Sequence, residues 1–241
     1  MARKWRLLLS GACSPAANMA IDEAIFKQIV ADKVAPTLRL FAWNPPAVSI
    51  GYFQDAASPE IQDYLTKGYP LIRRPTGGLA VLHQDDMSYS MAGVLAKDGF
   101  PASGQEAYRK AHESIRKALV SLGFQANLSR QEKPSVNKAF CSANWLPYDV
   151  ILEQKGKIGG SAQRKSGRVL LQHGSVSLPQ GVGQDDLTDK IVQNFRQVLG
   201  IELERQQLTD EEILLSEKLV KDKYGKWKWN HKGRFLFLGR Q

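Results

Sequence analysis

Cys141 and Lys157 are the two side chains whose types and spacing point most directly to covalent chemistry. They lie in a segment, 141–175, that the residue pattern predicts to be a loop, a strand, a tight turn ending in Lys157 and a further strand. A thiol acts as a nucleophile only as its thiolate, and a nearby ammonium group favours that form. The pair could therefore be a nucleophile and its activating cation. The residues alone leave open a second interpretation, in which Cys141 is a small buried side chain and Lys157 a solvated turn lysine.

A glycine pair that follows two arginines is the second candidate for a site. Arg73 and Arg74 end a predicted strand, and Gly77 and Gly78 come shortly after them. Two glycines let the backbone approach a ligand closely and leave amide hydrogens available to hold an oxyanion. Taken alone, a Gly-Gly pair in a hairpin is more often simply a turn. His83, at the end of the next predicted strand, is open to a structural role as well as a binding role.

The net charge of the chain narrows the choice of partners. Hydrophobic residues make up 43% of the 241 residues, which excludes a disordered chain and fits a single domain over residues 1–241. The formal charge is +9, which suits either nucleic acid or an acidic protein. Since the sequence has no long lysine–arginine block and no zinc-finger spacing, we expect acidic protein partners and no nucleic acid.

The cysteines and the apolar runs indicate the compartment. Cys13 and Cys141 are too few and too far apart for a secreted disulfide framework. The apolar run at the N-terminus is too short for a signal peptide, and no stretch approaches the ~20 apolar residues of a membrane span. We therefore expect a cytoplasmic protein with free thiols and no membrane partner.

Hydrophobic periodicity and turn residues predict the elements that must position these groups. The predicted strands cover residues 5–9, 37–43, 47–51, 70–74, 79–83, 87–91 and 124–128, with 37–51 forming a hairpin. One predicted helix begins after Ser14, and the others cover 59–68, 105–122, 185–199 and 209–223. Residues 129–139 are polar and predict a mobile loop that leads to Cys141.

Three further features have structural interpretations. Asp22 and Glu23, in the first helix, suit the helix dipole and solvation. His112 lies beside the apolar stripe of the 105–122 helix, where we expect a structural or exposed side chain. The tail at 224–241 alternates lysine with tryptophan and predicts an amphipathic edge strand, with stacking on RNA as the alternative.

Several motifs, in the order in which they occur here, resemble the lipoate–protein ligase A and biotin ligase superfamily. The resemblance covers nearly the whole chain and includes Cys141 with Trp145 and Tyr148, and a C-terminal stretch that begins near residue 208. Its other segments are 18–24 (NMAIDEA), 43–46 (WNPP), 49–54 (SIGYFQ), 73–78 (RRPTGG) with His83, 157–164 (KIGGSAQR) and 171–175 (LQHGS). The resemblance implies an α+β fold in which a mixed central β-sheet is flanked by helices.

Within the superfamily, the sequence looks most like the cysteine-dependent octanoyltransferases, which move octanoate from acyl carrier protein to a lysine of a lipoyl domain without ATP. That resemblance implies that Cys141 forms an acyl thioester and that Lys157 stabilises its thiolate. The residues it implies for substrate binding are Arg73, Arg74, Gly77, Gly78, His83, Ser161 and Ala162. It further implies a monomer without cofactor or metal. The implied partners are acyl carrier protein and lipoyl-domain proteins, either the glycine cleavage H protein or oxoacid dehydrogenase acyltransferase subunits.

The sequence also departs from the pattern of the superfamily. Leu79 stands where glycine or arginine is common, Gln84 and Asp85 follow His83 where an acid is common, and one residue is inserted before Lys157. The chain ends without the accessory domain of many ligases, which favours the transferase. Three alternatives stay open: an ATP-dependent lipoate–protein ligase with Lys157 on the acyl-adenylate, an amidotransferase between lipoyl proteins, and a non-catalytic binding module with a basic face.

Overall fold

A computed structural model describes residues 3–130 and 139–232, so that most of the loop predicted at 129–139 lies outside the described residues. The strands in these ranges are β1 (Arg3–Cys13), β2 (Thr37–Trp43), β3 (Ala47–Ile50), β4 (Leu71–Arg73), β5 (Val81–His83), β6 (Asp86–Val94), β7 (Ala126–Leu128), β8 (Val150–Leu152), β9 (Gly156–Ser166), β10 (Val169–Ser177) and β11 (Ile201–Arg205). The helices are α1 (Pro15–Val30), α2 (Pro59–Thr66), α3 (Gly104–Ser121), α4 (Gln184–Leu199), α5 (Asp210–Leu219) and α6 (Trp227–Lys232). Among the described residues, no helix has both the length and the apolar composition needed to cross a membrane.

The helices begin where the local sequence predicts. The Ser14 hydroxyl accepts a hydrogen bond from the Ala17 amide, and Pro15 occupies the first turn of α1, where a missing N–H costs nothing. At α5, Thr209 and Glu212 form the complete capping box, in which each side chain bonds the backbone of the other residue. These contacts are local, which is why the sequence signals them.

Eight strands form a mixed sheet in the order β11-β1-β2-β6-β10-β9-β8-β7. Strand β1 runs parallel to both β11 and β2, and the other neighbours are antiparallel. The predicted α+β fold with a mixed central sheet flanked by helices is confirmed.

Helices cover both faces of the large sheet. On one face, α3 and α4 share an apolar core with the strands, and the predicted stripe of α3 is buried at Ala107, Ala111, Ile115, Ala118 and Leu119. On the other face, α1 packs Ile25 and Phe26 against Leu8 and Leu171 of the strands. Because both faces are covered, β2, β6 and β10 are buried along nearly their whole length, including their polar residues.

A second sheet contains three strands in the order β4-β3-β5, with β3 parallel to β4 and antiparallel to β5. The predicted hairpin over 37–51 is therefore wrong, since β2 pairs with β1 and β6 in the large sheet. The side-chain pattern marks β2 and β3 as strands but carries no information about their partners. All four residues of β3 are buried, so its backbone N–H and C=O groups need hydrogen-bond partners on both edges.

The interpretation of Asp22 and Glu23 as solvated dipole partners is also wrong. The Asp22 carboxylate accepts hydrogen bonds from Arg39 and Ser90, both at 2.8 Å, and lies 3.1 Å from His173 Nδ1. Burial alone would raise the pKa of Asp22, but Arg39 and His173 outweigh it and hold the pKa below its usual value. Both carboxylates therefore belong to buried networks that join α1 to the sheet and to the C-terminal segment.

The segment 227–232 forms α6 and not the predicted edge strand, while the tail beyond residue 232 lies outside the described residues. Helix α6 docks on β4: the Asn230 side-chain oxygen accepts from the Arg73 amide at 3.0 Å, and Trp229 Nε1 donates to the Arg73 carbonyl at 3.1 Å. Strand β11 was not predicted, although its residues alternate between buried and exposed positions. That alternation was the signal that could have revealed it.

We predict that Glu212→Gln lowers the free energy of unfolding by about 3 kcal/mol, measured by urea denaturation. Glu212 accepts two hydrogen bonds of 2.7 Å from Arg6, and both side chains are buried, so the change leaves a buried guanidinium without its counter-charge. The matched control is Glu204→Gln, which breaks the exposed pair with Lys4, two residues before Arg6 on β1, and should cause no measurable loss. Equal losses in the two variants would contradict the prediction.

Candidate active site

Cys141 is held against the strand that follows the glycine pair. It begins a short 3-10 turn, Cys141–Ala143, and its amide donates to the Ala80 carbonyl at 2.8 Å. Phe140 and Ala80 form an isolated parallel bridge just before it. The backbone of the glycine-pair segment therefore fixes the position of the thiol.

Lys157 is brought directly onto this thiol. It is the second residue of β9, beyond the predicted turn, and its side chain is only 5% exposed. Its Nζ lies 3.1 Å from Cys141 Sγ, donates to the Asn144 carbonyl at 2.8 Å and lies 2.8 Å from Asp149 Oδ2. Three acceptors thus surround one ammonium group.

Asp149 is the residue of this site that the sequence reasoning missed. It is fully buried, and its two oxygens accept hydrogen bonds of 2.6 Å from the Tyr108 hydroxyl and from the Leu146 amide. An acidic residue directly before an apolar strand, and after the cysteine loop, was the available signal. Its carboxylate supplies the counter-charge that lets Lys157 stay charged inside the protein.

The charge state of Lys157 follows from these neighbours. Burial alone would lower its pKa, but the adjacent Cys141 and the Asp149 carboxylate outweigh that effect and raise the pKa above its ordinary value. The side chain is therefore an ammonium at neutral pH. In this geometry it can stabilise an anion, and it is not a base.

Gly160 provides the space that the ammonium occupies. A Cβ at this position would lie 2.8 Å from Lys157 Cε and 3.1 Å from its Nζ. Any other residue at position 160 would therefore push the flexible lysine away from Cys141, since its methylene stem yields more easily than backbone.

Helix α3 supports the site from below with Tyr108 and His112, one turn apart. His112 is buried, and its Nδ1 donates to the Tyr148 carbonyl at 2.7 Å. That donation leaves Nε2 as the acceptor for the Ser161 hydroxyl, at 3.0 Å. Burial lowers the pKa of His112 to about 4, so the ring is neutral at physiological pH. The sequence left open whether His112 is structural or exposed. The structure shows that it is fully buried and has a structural role.

Five of the seven predicted substrate-binding residues line one narrow cavity beside Cys141. They are Arg74, Gly78, His83, Ser161 and Ala162. The cavity has a volume of about 30 Å³, roughly the room that one ordered water requires. A second, wider cavity of about 220 Å³ shares Val81, Cys141, Gly160 and Ser175 with the first, and Lys157 lines only the wider one. Cys141 therefore stands where the two cavities meet.

Arg74 and Gly77 shape the narrow cavity from its rim. The Arg74 guanidinium donates to the carbonyls of Ser49, Gly77 and Leu79, each at 2.9 Å. Burial lowers the pKa of Arg74 to about 10, a value at which it still carries its charge at neutral pH. Gly77 is outside the lining of the cavity, and it contributes the carbonyl that Arg74 holds. Arg74 thus clamps the glycine-pair loop.

Arg73 lies away from the cavity in which the sequence placed it. Its guanidinium donates to the carbonyls of Gly51, Tyr52 and Gln54, at 2.7–3.1 Å, and to those of two residues in α6. Successive residues at the end of a strand point to opposite sides, so Arg73 and its neighbour cannot both face one cavity. Arg73 ties the 51–54 loop to the C-terminal helix.

His83 stacks on Trp43, with ring centroids 4.0 Å apart, and is buried. Its Nε2 lies 2.7 Å from the Ser49 hydroxyl and its Nδ1 lies 2.6 Å from Asp86 Oδ2. The superfamily pattern led us to look for an acid at positions 84 and 85. The acid that contacts His83 is instead Asp86, three residues after the histidine.

Comparison with known proteins shows the family of the chain. A model of the lipoyl protein ligase A/B catalytic domain matches residues 14–208. The chain belongs to this family. It is 34% identical to the octanoyltransferase LipM of Kyrpidia tusciae and 32% identical to that of Bacillus subtilis, in each case over 95% of this chain and 98% of the relative. The predicted resemblance to the superfamily and to its octanoyltransferases is confirmed.

A solved structure supports the same fold assignment. The crystal structure of lipoate-protein ligase A bound with ATP aligns with a TM-score of 0.79 at 25% identity, over 95% of this chain and 98% of that one. Several of the segments that carried the family resemblance line the two cavities, among them the loop after β4, β9 and β10. The family motifs are thus spread over the chain but close in space.

We predict that Gly160→Ala slows alkylation of Cys141 by iodoacetamide at pH 7 by about 10-fold, the order of a lost hydrogen bond to a charged group. The added methyl displaces the Lys157 ammonium, so the sulfur of Cys141 loses the cation beside it. The fold should survive, since the methyl meets the far end of a flexible side chain, and the midpoint of thermal unfolding should move by only a few degrees. An unchanged alkylation rate would show that the contact with Lys157 does not activate the thiol.

We predict that stability falls with acid in the window between pH 6.5 and pH 4, partly because of His112. Below pH 6.5 the unfolded chain protonates this histidine, whereas the buried ring stays neutral until its pKa of about 4. One proton taken up only by the unfolded state costs about 1.4 kcal/mol per pH unit. Urea denaturation across this window should show a shallower loss for His112→Asn than for the unsubstituted protein. Parallel curves would contradict the assignment.

Proposed function

We propose that Cys141 carries an octanoyl group as a thioester, taken from octanoyl-acyl carrier protein and passed to a lysine of a lipoyl-domain protein. That the chain is an octanoyltransferase of lipoate biosynthesis rests on relatives with that name, which match it over nearly their full length. The single observation that carries the thioester route is the 3.1 Å contact between Lys157 Nζ and Cys141 Sγ. A thiolate next to an ammonium is the form of cysteine that attacks a thioester.

The proposed reaction has two steps. In the first, the Cys141 thiolate attacks the carbonyl carbon of the acyl carrier thioester, a new C–S bond forms, and the carrier thiolate leaves with the electron pair of the old bond. In the second, the neutral amine of the target lysine attacks the carbonyl carbon of the Cys141 thioester and a C–N bond forms. The C–S bond breaks with its electron pair on the cysteine thiolate, and the nitrogen loses one proton to solvent. The first step exchanges one thioester for another, and the second forms an amide, so no nucleotide is required.

Lys157 serves both steps as a cation. It stabilises the thiolate before attack and after departure, and it is close enough to the sulfur to stabilise the carbonyl oxygen on which negative charge develops in each tetrahedral intermediate. Its raised pKa supports this role over that of a general base. Asp149 keeps the ammonium charged and in place without itself reaching the thiol.

The two cavities suggest how the acyl group lies. Since Lys157 lines only the wider cavity, the thioester carbonyl and its attacking group belong there, and the acyl tail belongs in the narrow cavity on the other side of Cys141. At about 30 Å³ the narrow cavity is too small for an eight-carbon chain, so its walls have to part when the substrate enters. The proposed binding residues are those that line it: Arg74, Gly78, His83, Ser161 and Ala162, with Arg74 holding the carbonyl of Gly77.

The formal charge of +9 supports acidic protein partners, because opposite charge steers encounter and selects partners. Acyl carrier proteins and lipoyl domains are both generally acidic. A free nucleophilic thiol also suits a reducing compartment, so we place the reaction in the cytoplasm.

The proposal is tested by intact-protein mass after mixing the chain with octanoyl-acyl carrier protein, with no ATP or magnesium. We expect an adduct of one octanoyl group that hydroxylamine releases. Cys141→Ser should give no adduct, because the hydroxyl is far less nucleophilic and Lys157 cannot ionise it. The expected loss is about 1000-fold or more in the acylation rate.

Adding ATP, magnesium and free lipoate to the same protein tests the ligase alternative. That alternative is worth testing because the fold matches an ATP-bound lipoate-protein ligase. Lipoylation of a lipoyl domain under those conditions, without an adduct from the acyl carrier thioester and with full activity in Cys141→Ser, would overturn the thioester route. Acyl transfer that needs Cys141 and ignores ATP would support it.

A further inference from the structure

The lining of the wider cavity beside Cys141 includes a charged side chain that has no role in the acyl-transfer steps described above. Its lining includes Cys141 and Lys157, and it also includes Asp86. Asp86 is nine-tenths buried, and one of its oxygens, Oδ1, has no hydrogen-bond partner among the described residues. A buried carboxylate oxygen without a donor is costly, so a donor supplied by a ligand would be favourable there.

A chain of hydrogen bonds places a negative charge at Asp86. Arg74 donates to the Ser49 hydroxyl at 2.7 Å, and that hydroxyl lies 2.7 Å from His83 Nε2. The Ser49 hydrogen can then be given to Nε2, which leaves Nδ1 as the protonated nitrogen of a neutral ring and the donor to Asp86 Oδ2, at 2.6 Å. In this arrangement the positive charge stays on Arg74, and the Asp86 carboxylate stays negatively charged.

No other described cation cancels that charge. Lys157, the ammonium on the same cavity, is already matched by Asp149 at 2.8 Å. Within residues 3–130 and 139–232, Asp86 forms an ion-pair contact with His83 and with no lysine or arginine. The cavity therefore contains one carboxylate whose electrostatic partner has to come from outside.

The remaining walls suit an alkyl chain. Tyr64, Leu82 and Phe140 contribute apolar surface, and the volume of about 220 Å³ exceeds the roughly 150 Å³ at which an apolar cavity binds benzene. An alkyl stem that ends in a cation fits this combination of apolar walls and a single carboxylate. That is the chemistry of a lysine side chain.

We propose that the wider cavity receives the target lysine of the lipoyl domain, with its methylene stem against Tyr64, Leu82 and Phe140 and its ammonium at the Asp86 carboxylate. This inference rests on the proposed function, because it concerns the acceptor of the second step. Asp86 is a binding residue for that acceptor. It holds the ammonium form, so it contributes to capture of the lysine and not to making its nitrogen nucleophilic.

The transfer then proceeds with atoms and charges balanced. The bound ammonium gives one proton to solvent, and its nitrogen attacks the carbonyl carbon of the Cys141 thioester. The C–N bond forms and the C–S bond breaks, with its electron pair moving to sulfur. The second proton of the nitrogen passes to solvent, which leaves an amide on the lysine and a thiolate beside Lys157.

Asp86→Asn tests the proposal, because asparagine can still accept from His83 through its carbonyl oxygen while the charge is removed. Octanoyl-enzyme is first made from octanoyl-pantetheine, and its transfer to a lipoyl domain is then timed separately. We expect acylation to be unchanged and kcat/KM for the lipoyl domain to fall by about 10- to 100-fold, mostly through KM. Hydroxylamine, which is uncharged at pH 7, should release octanoate at the unsubstituted rate. The matched control is Asp85→Asn, an exposed neighbour with the same charge change, which should affect neither step.

Two results would overturn the assignment. One is an equal loss of rate with the lipoyl domain and with hydroxylamine. The other is a slower acylation, which would indicate that Asp86 binds the amides of pantetheine instead. If Asp86→Asn does not fold, n-pentylammonium and n-pentanol are compared as inhibitors of hydroxylamine release from the unsubstituted octanoyl-enzyme. Stronger inhibition by the cation supports the proposal, and equal inhibition overturns it. Failure of the unsubstituted protein to form any octanoyl-enzyme would instead refute the thioester route itself, and this inference with it.

Discussion

The contact of the Lys157 ammonium with both a thiol and a carboxylate is the interaction on which the candidate active site depends. Its Nζ lies 3.1 Å from Cys141 Sγ and 2.8 Å from Asp149 Oδ2, in a place that water barely reaches. A buried cation without a partner would shed its proton, and a thiolate without a cation would take one up. The thiol and the carboxylate together keep the pKa of Lys157 above its ordinary value despite its burial. Most of the surrounding structure serves to keep them at these distances.

The supports come from elements that are distant in sequence. Helix α3 holds Asp149 through Tyr108, and it holds the preceding backbone through His112, both from the same face of the helix. Strand β9 provides Lys157, and Gly160 on the same strand leaves the space for its stem. Burying so many polar groups is tolerable because nearly all of them find partners, and a half-satisfied network would be worse than an apolar core. Tight packing of α3 against the sheet is therefore a condition for the chemistry as well as for stability.

Cys141 divides its surroundings into two compartments with different chemistry. On one side lies a narrow cavity under the clamped glycine-pair loop, and on the other a wider one with Lys157 and Asp86. The covalent route proposed above requires the enzyme to hold the acyl group while it exchanges a leaving thiol for an attacking amine. Separate spaces for the acyl tail and for the exchanging groups meet that requirement without moving the nucleophile.

The sequence by itself determined the helices, most of the strands, the mixed α+β fold and the pairing of Cys141 with Lys157, because caps, periodicity and family motifs are local signals. The tertiary structure alone decided which strands pair, and it separated β2 from β3, which the pattern had joined. It also sent Arg73 and Arg74 to opposite sides of one strand end, so that only Arg74 reaches the cavity. One physical reason explains why the sequence did not reveal the roles of Asp149 and Asp86 or the burial of Asp22. A carboxylate looks the same in a sequence whether it is solvated or buried, and only the positions of its partners in space distinguish the two.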